Sequence, residues 1–357
     1  MVDARTLVSA FLIGGVLFSG GSVAKTLKPF RISDWSGGAT VDDQTKQFAY
    51  CSAQSTNSRG VSVFYRLNDQ YAWSLAFSNS AWNFSSGFAI VLAIRINDQI
   101  IPNQRAVFAS NQTLQIQLTD SVAVFEMLQR GRKLQVQARG INFDFDLDAS
   151  DEVLFAVVDC VDRQTGRGQH SKSNIRNPRR ANAVKSPVIR DATAMAEATS
   201  LASQIMMHAQ LSGSQVIAPK DIPPGLQIDA AWKVGSVLGS VAILSIAKID
   251  DVAIRIVNQE AIGCRGKLFA ATAAGQFDQS NMVRAITSCR SPDTTTTKYF
   301  LGIPREGGGY YVLGTSETGI DAVHPYQRPA KEMSHKISAV IALVVSKFKP
   351  PDGATSE

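Results

Sequence analysis

Residues 113–148 read TLQIQLTDSVAVFEMLQRGRKLQVQARGINFDFDLD and contain both patterns on which the fold prediction depends. Leu114 and Ile116 alternate with glutamines, and Phe143 and Phe145 alternate with aspartates. A period of two is typical of a strand with one buried face and one solvated face. Between these runs, 122–129 predicts a short helix that Asp120 would cap. The stretch therefore predicts an antiparallel sheet that a short helix interrupts.

The same period continues through the N-terminal half of the chain. A second short helix is predicted from Asp148 or Ser150 to about Asp159. Together these elements predict a β-rich antiparallel domain over 25–162 with two short helices. The strands are predicted at 47–53, 61–67, 71–77, 88–96, 113–118, 133–138 and 141–147.

The C-terminal half predicts a second domain, over 191–349, in which helices flank an antiparallel sheet in two layers. Long helices are predicted at 192–211 and 330–348, and 350–357 is expected to be a disordered tail. This order of elements is similar to that of the PsbP/Mog1 fold. The fold class is therefore α+β. The strands are predicted at 215–217, 232–234, 241–246, 252–257, 267–272, 283–289, 298–303 and 310–315.

The first 24 residues have the pattern of a cleavable export signal. A head that carries Arg5 precedes an apolar run over 7–18, and small residues end at Ala24. An uncleaved anchor is the alternative, but the run is well short of the roughly 20 residues that a membrane-spanning helix needs. The pattern predicts a periplasmic or secreted protein with no transmembrane segment after the signal is removed.

Four cysteines in an exported chain predict two structural disulfides. They are Cys51, Cys160, Cys264 and Cys289. Three pairings are possible, and a linker between the second and third cysteine favours Cys51 with Cys160 and Cys264 with Cys289. Because no CxxC pair occurs, a redox or zinc role is disfavoured.

The segment 163–190 has the composition of a flexible linker and holds eight Lys and Arg residues with no acidic residue. The whole chain has 36 basic and 30 acidic residues, so removing the eight leaves 28 against 30. The positive charge therefore belongs to this segment. Arg176, Arg179 and Arg180 are candidate contacts for an anionic surface or a polysaccharide, and a solvated tether is the alternative. Nucleic acid is not expected, because the chain is exported and the segment has no aromatic residue on which bases could stack.

Trp82 and Phe84 lie in SNSAWNFSSG, residues 78–87, which predicts a loop between strands. Aromatic side chains in a polar loop can anchor a peptide or a sugar ring. The alternative is that they fold back over the edge of the sheet. Both residues are candidate ligand contacts.

Catalytic motifs are absent from the sequence. There is no HExxH, GxSxG, phosphate-binding loop or dinucleotide fingerprint, and the four histidines have no partner at a ligand spacing. Asp144, Asp146 and Asp148 alternate like calcium ligands, but the glycine and glutamate of a calcium loop are missing, which favours a solvated strand face. No catalytic, cofactor-binding or metal-binding residue is assigned, and no cofactor is expected.

Four sequence segments resemble a domain of uncharacterised two-domain exported proteins in proteobacteria: WSGG at 35–38, FAYC at 48–51, YAWSLAF at 71–77 and AWNF at 81–84. The N-terminal half also resembles the small exported β proteins of the invasion associated locus B type. Neither resemblance supplies a catalytic residue. The sequence therefore predicts an exported, non-catalytic binding or envelope-associated protein. An envelope protein is a further candidate partner. A secreted hydrolase of envelope polymers is the alternative.

Overall fold

The computed structural model is α+β, with two antiparallel sheets and five helices among the residues that it describes. These residues are 26–42, 44–118, 121–138, 141–166, 192–218, 221–222, 228–277, 280–319 and 329–345. The predicted signal peptide, most of the predicted linker and the predicted tail lie outside them.

Ten strands form the first sheet, in the order β1-β2-β3-β4-β5-β8-β7-β6-β9-β10. Every neighbouring pair in it is antiparallel. The strands are β1 (Thr26–Ile32), β2 (Trp35–Val41), β3 (Phe48–Thr56), β4 (Ser62–Leu67), β5 (Trp73–Ser78), β6 (Ala89–Ile96), β7 (Gln99–Ser110), β8 (Thr113–Gln117), β9 (Lys133–Ala138) and β10 (Ile141–Asp146).

Seven strands form the second sheet, in the order β11-β12-β13-β17-β16-β15-β14, and all its pairs are antiparallel. They are β11 (Gln215–Ile217), β12 (Ala230–Val234), β13 (Val237–Leu244), β14 (Lys267–Phe277), β15 (Ser280–Arg290), β16 (Thr295–Pro304) and β17 (Tyr310–Gly319). The helices are α1 (Ser121–Arg130), α2 (Ser150–Thr165), α3 (Ala192–His208), α4 (Ile249–Gly263) and α5 (Pro329–Val345).

One predicted strand is wrong, because 252–257 lies inside helix α4. Val252, Ala253, Ile256 and Val257 are buried, and their spacing follows the helical period. Two aspartates in the first turn favour the helix further, since the N-terminal end of a helix attracts negative charge. A six-residue apolar run cannot by itself distinguish the two structures.

The N-terminal half contains more strand and helix residues than were predicted from the sequence. Strands β1, β2 and β7 were not predicted at all. Helix α2 continues to Thr165, three residues into the segment predicted as linker, and Arg163 pairs there with Asp159 one turn earlier at 3.3 Å. The second predicted helix is therefore not short.

Both disulfides form with the pairing that the sequence favoured. Cys51 on β3 is bonded to Cys160 on α2, and Cys264, just after α4, is bonded to Cys289 on β15. The first bond fastens helix α2 to the inner face of the first sheet, and the second joins the end of α4 to the second sheet. Each bond lies within one half of the chain.

A single hydrophobic cluster takes residues from both sheets and from all five of these helices. Trp73 on β5 lies between Phe125 on α1, at 4.5 Å between ring centroids, and Phe269 on β14, at 6.0 Å. Its indole Nε1 donates a hydrogen bond to the carbonyl of Ala270 at 2.7 Å. Because the two halves share this core, their division into two domains at 162 and 191 stays a prediction.

None of the helices in the described ranges is long and apolar enough to span a membrane.

Candidate functional site

The first sheet has one covered face and one open face. On β4, Val63, Tyr65 and Leu67 are buried in the shared core, whereas the intervening Phe64 and Arg66 are partly exposed. Helices α1 and α2 contribute to the same core and so lie on the covered side. We call the opposite side of strands β2 to β8 the outer face. Side chains alternate between the two faces of a strand, so every second side chain of these strands lies on the outer face.

Arg66 is a charged residue of the outer face that lies against two aromatic rings. Its guanidinium carbon lies 5.3 Å from the centroid of the Tyr50 ring and 5.5 Å from that of Phe64. Cross-strand pairing places Ser52 on one side of it and Ser74 on the other. We call these five residues the Arg66 cluster. Cations within about 6 Å of an aromatic centroid are attracted to the ring face, so the rings hold the guanidinium in place.

The guanidinium of Arg66 has unused hydrogen-bonding capacity. Its Nε is buried and has no hydrogen-bond partner. Within the described part of the chain, Arg66 forms no ion pair either, and its interactions are with the two rings. Because Nε is buried, a ligand on the outer face would reach the terminal nitrogens of the guanidinium, where a hydrogen bond from a charged donor contributes about 1.5–3 kcal/mol.

The strands that form the outer face contain no acidic residue. Strands β1 to β8 contain no Asp or Glu, but they contain Arg66, Arg95 and Arg105 together with two cations of β1. Residues that flank the Arg66 cluster are neutral hydrogen-bonding groups, such as Gln54 and Gln115. Electrostatics on this side therefore favour an anionic ligand.

Trp82 and Phe84 fold back onto the edge of the sheet and are half-buried. Phe84 stacks on Phe108 at 4.2 Å, and Trp82 lies 5.9 Å from Phe108 and 6.0 Å from Phe143. Phe108 and Phe143 belong to the covered face, so this aromatic group closes one end of the core and is separate from the Arg66 cluster. The predicted ligand role of both residues stays a prediction.

Arg176, Arg179 and Arg180 lie outside the described residues.

A groove lies between helix α4 and the second sheet. It holds about 690 Å³ of space, including space open to solvent. Small residues such as Ser240 and Gly314 form part of its floor, and Phe300 and Ile256 are among its apolar walls. Lys298 at its rim is paired with Glu260 at 2.8 Å. The groove thus offers apolar surface, but this lysine is already neutralised.

Two carboxylates meet where α1 contacts the second sheet. Glu126 is 5% exposed, and it accepts hydrogen bonds from the Tyr299 hydroxyl and from Lys331 Nζ, both at 2.9 Å. Burial raises the pKa of Tyr299, and the negative charge of Glu126 raises it further. Glu317 Oε2 accepts from the backbone N–H of Ala330 at 3.0 Å. These bonds fasten α1 and α5 to the second sheet.

A second buried carboxylate, Glu197 on α3, is fully enclosed. Arg305 donates to its two oxygens through Nε and Nη2, each at 2.6 Å, and the Tyr311 hydroxyl donates to Oε1. The hydrogen bond from Arg305 to Glu197 raises the pKa of the guanidinium. Because three donors converge on one carboxylate, the arrangement fits a structural role in holding α3 against the β16–β17 hairpin.

The aspartate series of β10 does not gather ligands for a metal. Asp144 pairs with Lys133 at 3.1 Å, and no group of three or more metal-ligating side chains occurs within the described residues.

The Arg66 cluster was not predicted from the sequence, although part of its signal was present. The alternation of Val63, Tyr65 and Leu67 already assigns Phe64 and Arg66 to the solvated side of β4. The approach of Tyr50 depends on the β3–β4 register, which pairs Ser52 with Arg66. The absence of acidic residues from the five of these eight strands that the sequence predicts could also have been read from it.

Comparison with known proteins gives no family for this chain. No family model matches it, and no curated protein matches it. The bifunctional dehydratase-cyclase domain of ambruticin biosynthesis aligns over 85% of this chain and 77% of its own, with 6% identity and a TM-score of 0.19. The di-domain aromatase/cyclase StfQ of the steffimycin pathway aligns over 89% and 85%, with 9% identity and a TM-score of 0.14. Scores this low carry no conclusion about fold or activity.

Proposed function

We propose that the chain is an exported binding protein without catalytic activity, which holds an anionic ligand of the cell envelope on its outer face. The observation that carries this proposal is the Arg66 cluster at the surface of eight strands that contain no acidic residue. An extended ligand could lie across several strands of this face. Among the candidate partners, an anionic surface or polysaccharide fits this face better than an envelope protein does.

Export is supported by the N-terminal sequence and by the two disulfides, which persist in oxidising compartments. We expect the mature protein to begin at Lys25, after cleavage behind Ala24. Intact-mass measurement of the protein from a periplasmic extract would check this. A mass that includes the first 24 residues would contradict a cleaved signal.

The binding role can be tested with two variants that each add one carboxylate to the first sheet. Ser74→Glu places the charge directly opposite Arg66, whereas Gln137→Glu places it at an exposed position of β9, outside the cluster. The measurement is the fraction of purified protein that sediments with isolated bacterial envelopes. We expect Ser74→Glu to lose most of the binding and Gln137→Glu to retain it, with unfolding midpoints confirming that both fold. Equal binding by all three proteins would contradict the proposal.

A hydrolase acting on envelope polymers is the second candidate, and one observation favours it. Burial raises the pKa of Glu317, and the charge of nearby Glu126 contributes to the increase. A carboxyl with a raised pKa beside a second carboxylate can serve as a general acid. Against this, Glu126 is enclosed and engaged by Tyr299 and Lys331. Release of reducing ends from envelope polymers, lost in both Glu126→Gln and Glu317→Gln, would favour the hydrolase.

A further inference from the structure

The Arg66 guanidinium is held ready for a ligand before any ligand arrives. Tyr50 and Phe64 restrict its position from two sides, at 5.3 and 5.5 Å. An arginine side chain loses considerable rotamer freedom when a ligand immobilises it. Because the two rings already restrict Arg66, less conformational entropy is lost on binding. Its Nε is buried without a partner, so the terminal nitrogens are the donors that a ligand can reach. A planar cation with free donors, fixed on an open surface, is suited to bind an anion.

The shape of the guanidinium suits an anion with two acceptor oxygens, such as a carboxylate. Arginine donates two parallel hydrogen bonds to a carboxylate, and this geometry adds specificity as well as energy. Ser52 and Ser74 flank Arg66 and are small, so a ligand can approach the guanidinium closely. Their hydroxyls can also donate to or accept from a ligand hydroxyl.

Groups around the cluster suit a sugar ring. Gln54 pairs with Phe64 across β3 and β4, and Ala76 pairs with Phe64 across β4 and β5, so an amide and a small residue border the aromatic ring. The parts of the Phe64 and Tyr50 rings that the guanidinium leaves exposed can contact the apolar face of a sugar, while serine and glutamine can bond its hydroxyls. This combination occurs on a sheet surface that is wide enough for a chain of sugar units.

A second cation lies in the same row of the outer face. Arg105 on β7 is three strands away from Arg66, through the pairing of β4 with β5, β5 with β8 and β8 with β7. At about 4.8 Å per strand, the two backbones are about 14 Å apart. Arg105 is exposed and has no ion pair with a described residue. Two cations at this separation match a polymer whose negative charges recur along its length.

We infer that Arg66 binds the carboxylate of an acidic sugar unit, in a uronate-containing polysaccharide that lies across the outer face towards Arg105. The inference rests on the proposed function, since it names the ligand class of the same face. In this arrangement Arg66 distinguishes acidic from neutral sugar polymers. The neighbouring serines and glutamines contact the sugar hydroxyls that both polymers have.

Polygalacturonate and its fully methyl-esterified form are the probes that test the inference, because esterification removes the charge and keeps the sugar chain. Calorimetric titration of the full-length protein would give the dissociation constant for each. We expect the wild type to bind the acidic form more tightly. Arg66→Gln should lose about tenfold to a hundredfold of that affinity, since hydrogen bonds to charged groups contribute about 1.5–3 kcal/mol. Arg66→Lys keeps the charge but lacks the planar pair of donors, so it should lose affinity as well.

Arg265→Gln is the matched control, because it removes one positive charge from an exposed position in the C-terminal half. It should bind like the wild type. Equal binding of the acidic and esterified polymers, or unchanged binding by Arg66→Gln, would overturn the inference and leave the proposed function standing. Binding of phosphatidylglycerol vesicles in place of the polymer, lost in Arg66→Gln, would also overturn it, because the anion would be a phosphate. No binding of polymer or vesicle, together with no envelope sedimentation, would contradict both proposals.

Discussion

Glu317 on β17 shows how a single carboxylate at the contact between the halves affects stability. It is half-buried, and burial is the main reason that its pKa is raised above the ordinary value of 4.5. The charge of Glu126 adds to the increase, whereas the N–H of Ala330 and the charge of Arg130 oppose it. The net effect is that the folded protein favours the protonated form of this group.

Replacing Glu317 with glutamine should stabilise the protein at pH 7. A raised pKa means that the folded state binds the proton more tightly than the unfolded state does, so ionisation costs stability above the raised pKa. That cost shrinks as the pH falls towards 4.5 and is absent below it. Urea unfolding of Glu317→Gln should therefore show a higher midpoint than the wild type at pH 7 and equal midpoints at pH 4.

Glu332→Gln is the control for this prediction. Glu332 is exposed on α5 and pairs with Lys336 one turn later at 3.1 Å. Exposed pairs of this kind contribute little, so its substitution should not raise the midpoint at pH 7. A Glu317→Gln protein that is less stable than the wild type at pH 7 would show that its hydrogen bond to Ala330 outweighs the cost of burial.

Which residues form the candidate site could be predicted only in part. The alternation along β4 assigns Arg66 to the solvated side, because Val63, Tyr65 and Leu67 must be buried together. Nothing local indicates that Tyr50 approaches the same guanidinium, since that contact depends on how β3 and β4 are paired. Trp82 stood out as an aromatic residue in a polar loop, yet it packs on Phe108 and Phe143.

At the scale of elements, helix α4 depends on close contact with the second sheet. Val252 on the helix and Val283 on β15 both approach Gly302 on β16. A Cβ atom at position 302 would lie 2.7 Å from Val283 Cγ1 and 3.1 Å from Val252 Cγ1. The glycine is therefore required by the space between helix and sheet.

Gly302→Ala should destabilise the protein by about 1–3 kcal/mol, because an added methyl in a packed interior forces its neighbours to shift. The free energy of unfolding in urea measures this effect. Gly263→Ala is the matched control, since nothing lies within 4 Å of a Cβ at that position. It should change stability by no more than about 0.5 kcal/mol. Equal effects of the two substitutions would contradict the close packing of α4 on β16.

Element type was predictable from the sequence where a pattern was long, and it was not where the pattern was short. Helices α1, α3 and α5 and most strands were predicted within a few residues. The run 252–257 was predicted as a strand because it is apolar and β-branched, but Ile249–Gly263 is a helix. Its buried positions have helical spacing, but six residues are too few to distinguish that spacing from a buried strand.

At the scale of the whole molecule, the two halves are joined by more than the segment between them. Thr272 of β14 donates two hydrogen bonds across the contact. Its N–H donates to the carbonyl of Tyr71 at 3.0 Å, and its hydroxyl donates to the carbonyl of Gln70 at 2.8 Å. Arg290 pairs with Asp151 at 2.8 Å and lies 4.9 Å from the Phe155 ring centroid. These contacts accompany the shared hydrophobic core.

Cutting the chain between the halves should leave them associated. Each disulfide lies within one half, so no covalent bond would hold the two fragments. We expect a protein with a specific protease site inserted within 167–191 to elute at the size of the intact chain after cleavage, and to separate only in denaturant. The same cut in a Glu126→Ala protein should weaken the association, because Tyr299 and Lys331 lose their partner. Fragments that separate in native buffer would support two independent domains.

The shared core could not be predicted from local sequence. Trp73 and Ala270 are 197 positions apart, and a run such as YAWSLAF says only that one side of its strand is buried. The basic composition of 163–190 favoured two independent units, since such composition is typical of linkers. A linker can also connect two parts of one packed body, and the sequence does not distinguish these arrangements.

Nuclear magnetic resonance tests most directly whether the outer face of the first sheet binds an anionic polymer. Nitrogen-15-labelled protein would be titrated with polygalacturonate, and the amide shifts would be followed for each residue. We expect the largest chemical-shift changes at Ser52, Arg66 and Ser74, and smaller ones at Arg105. Changes confined to Ser240 and Ser316 in the α4 groove, or no changes at all, would contradict binding at the outer face.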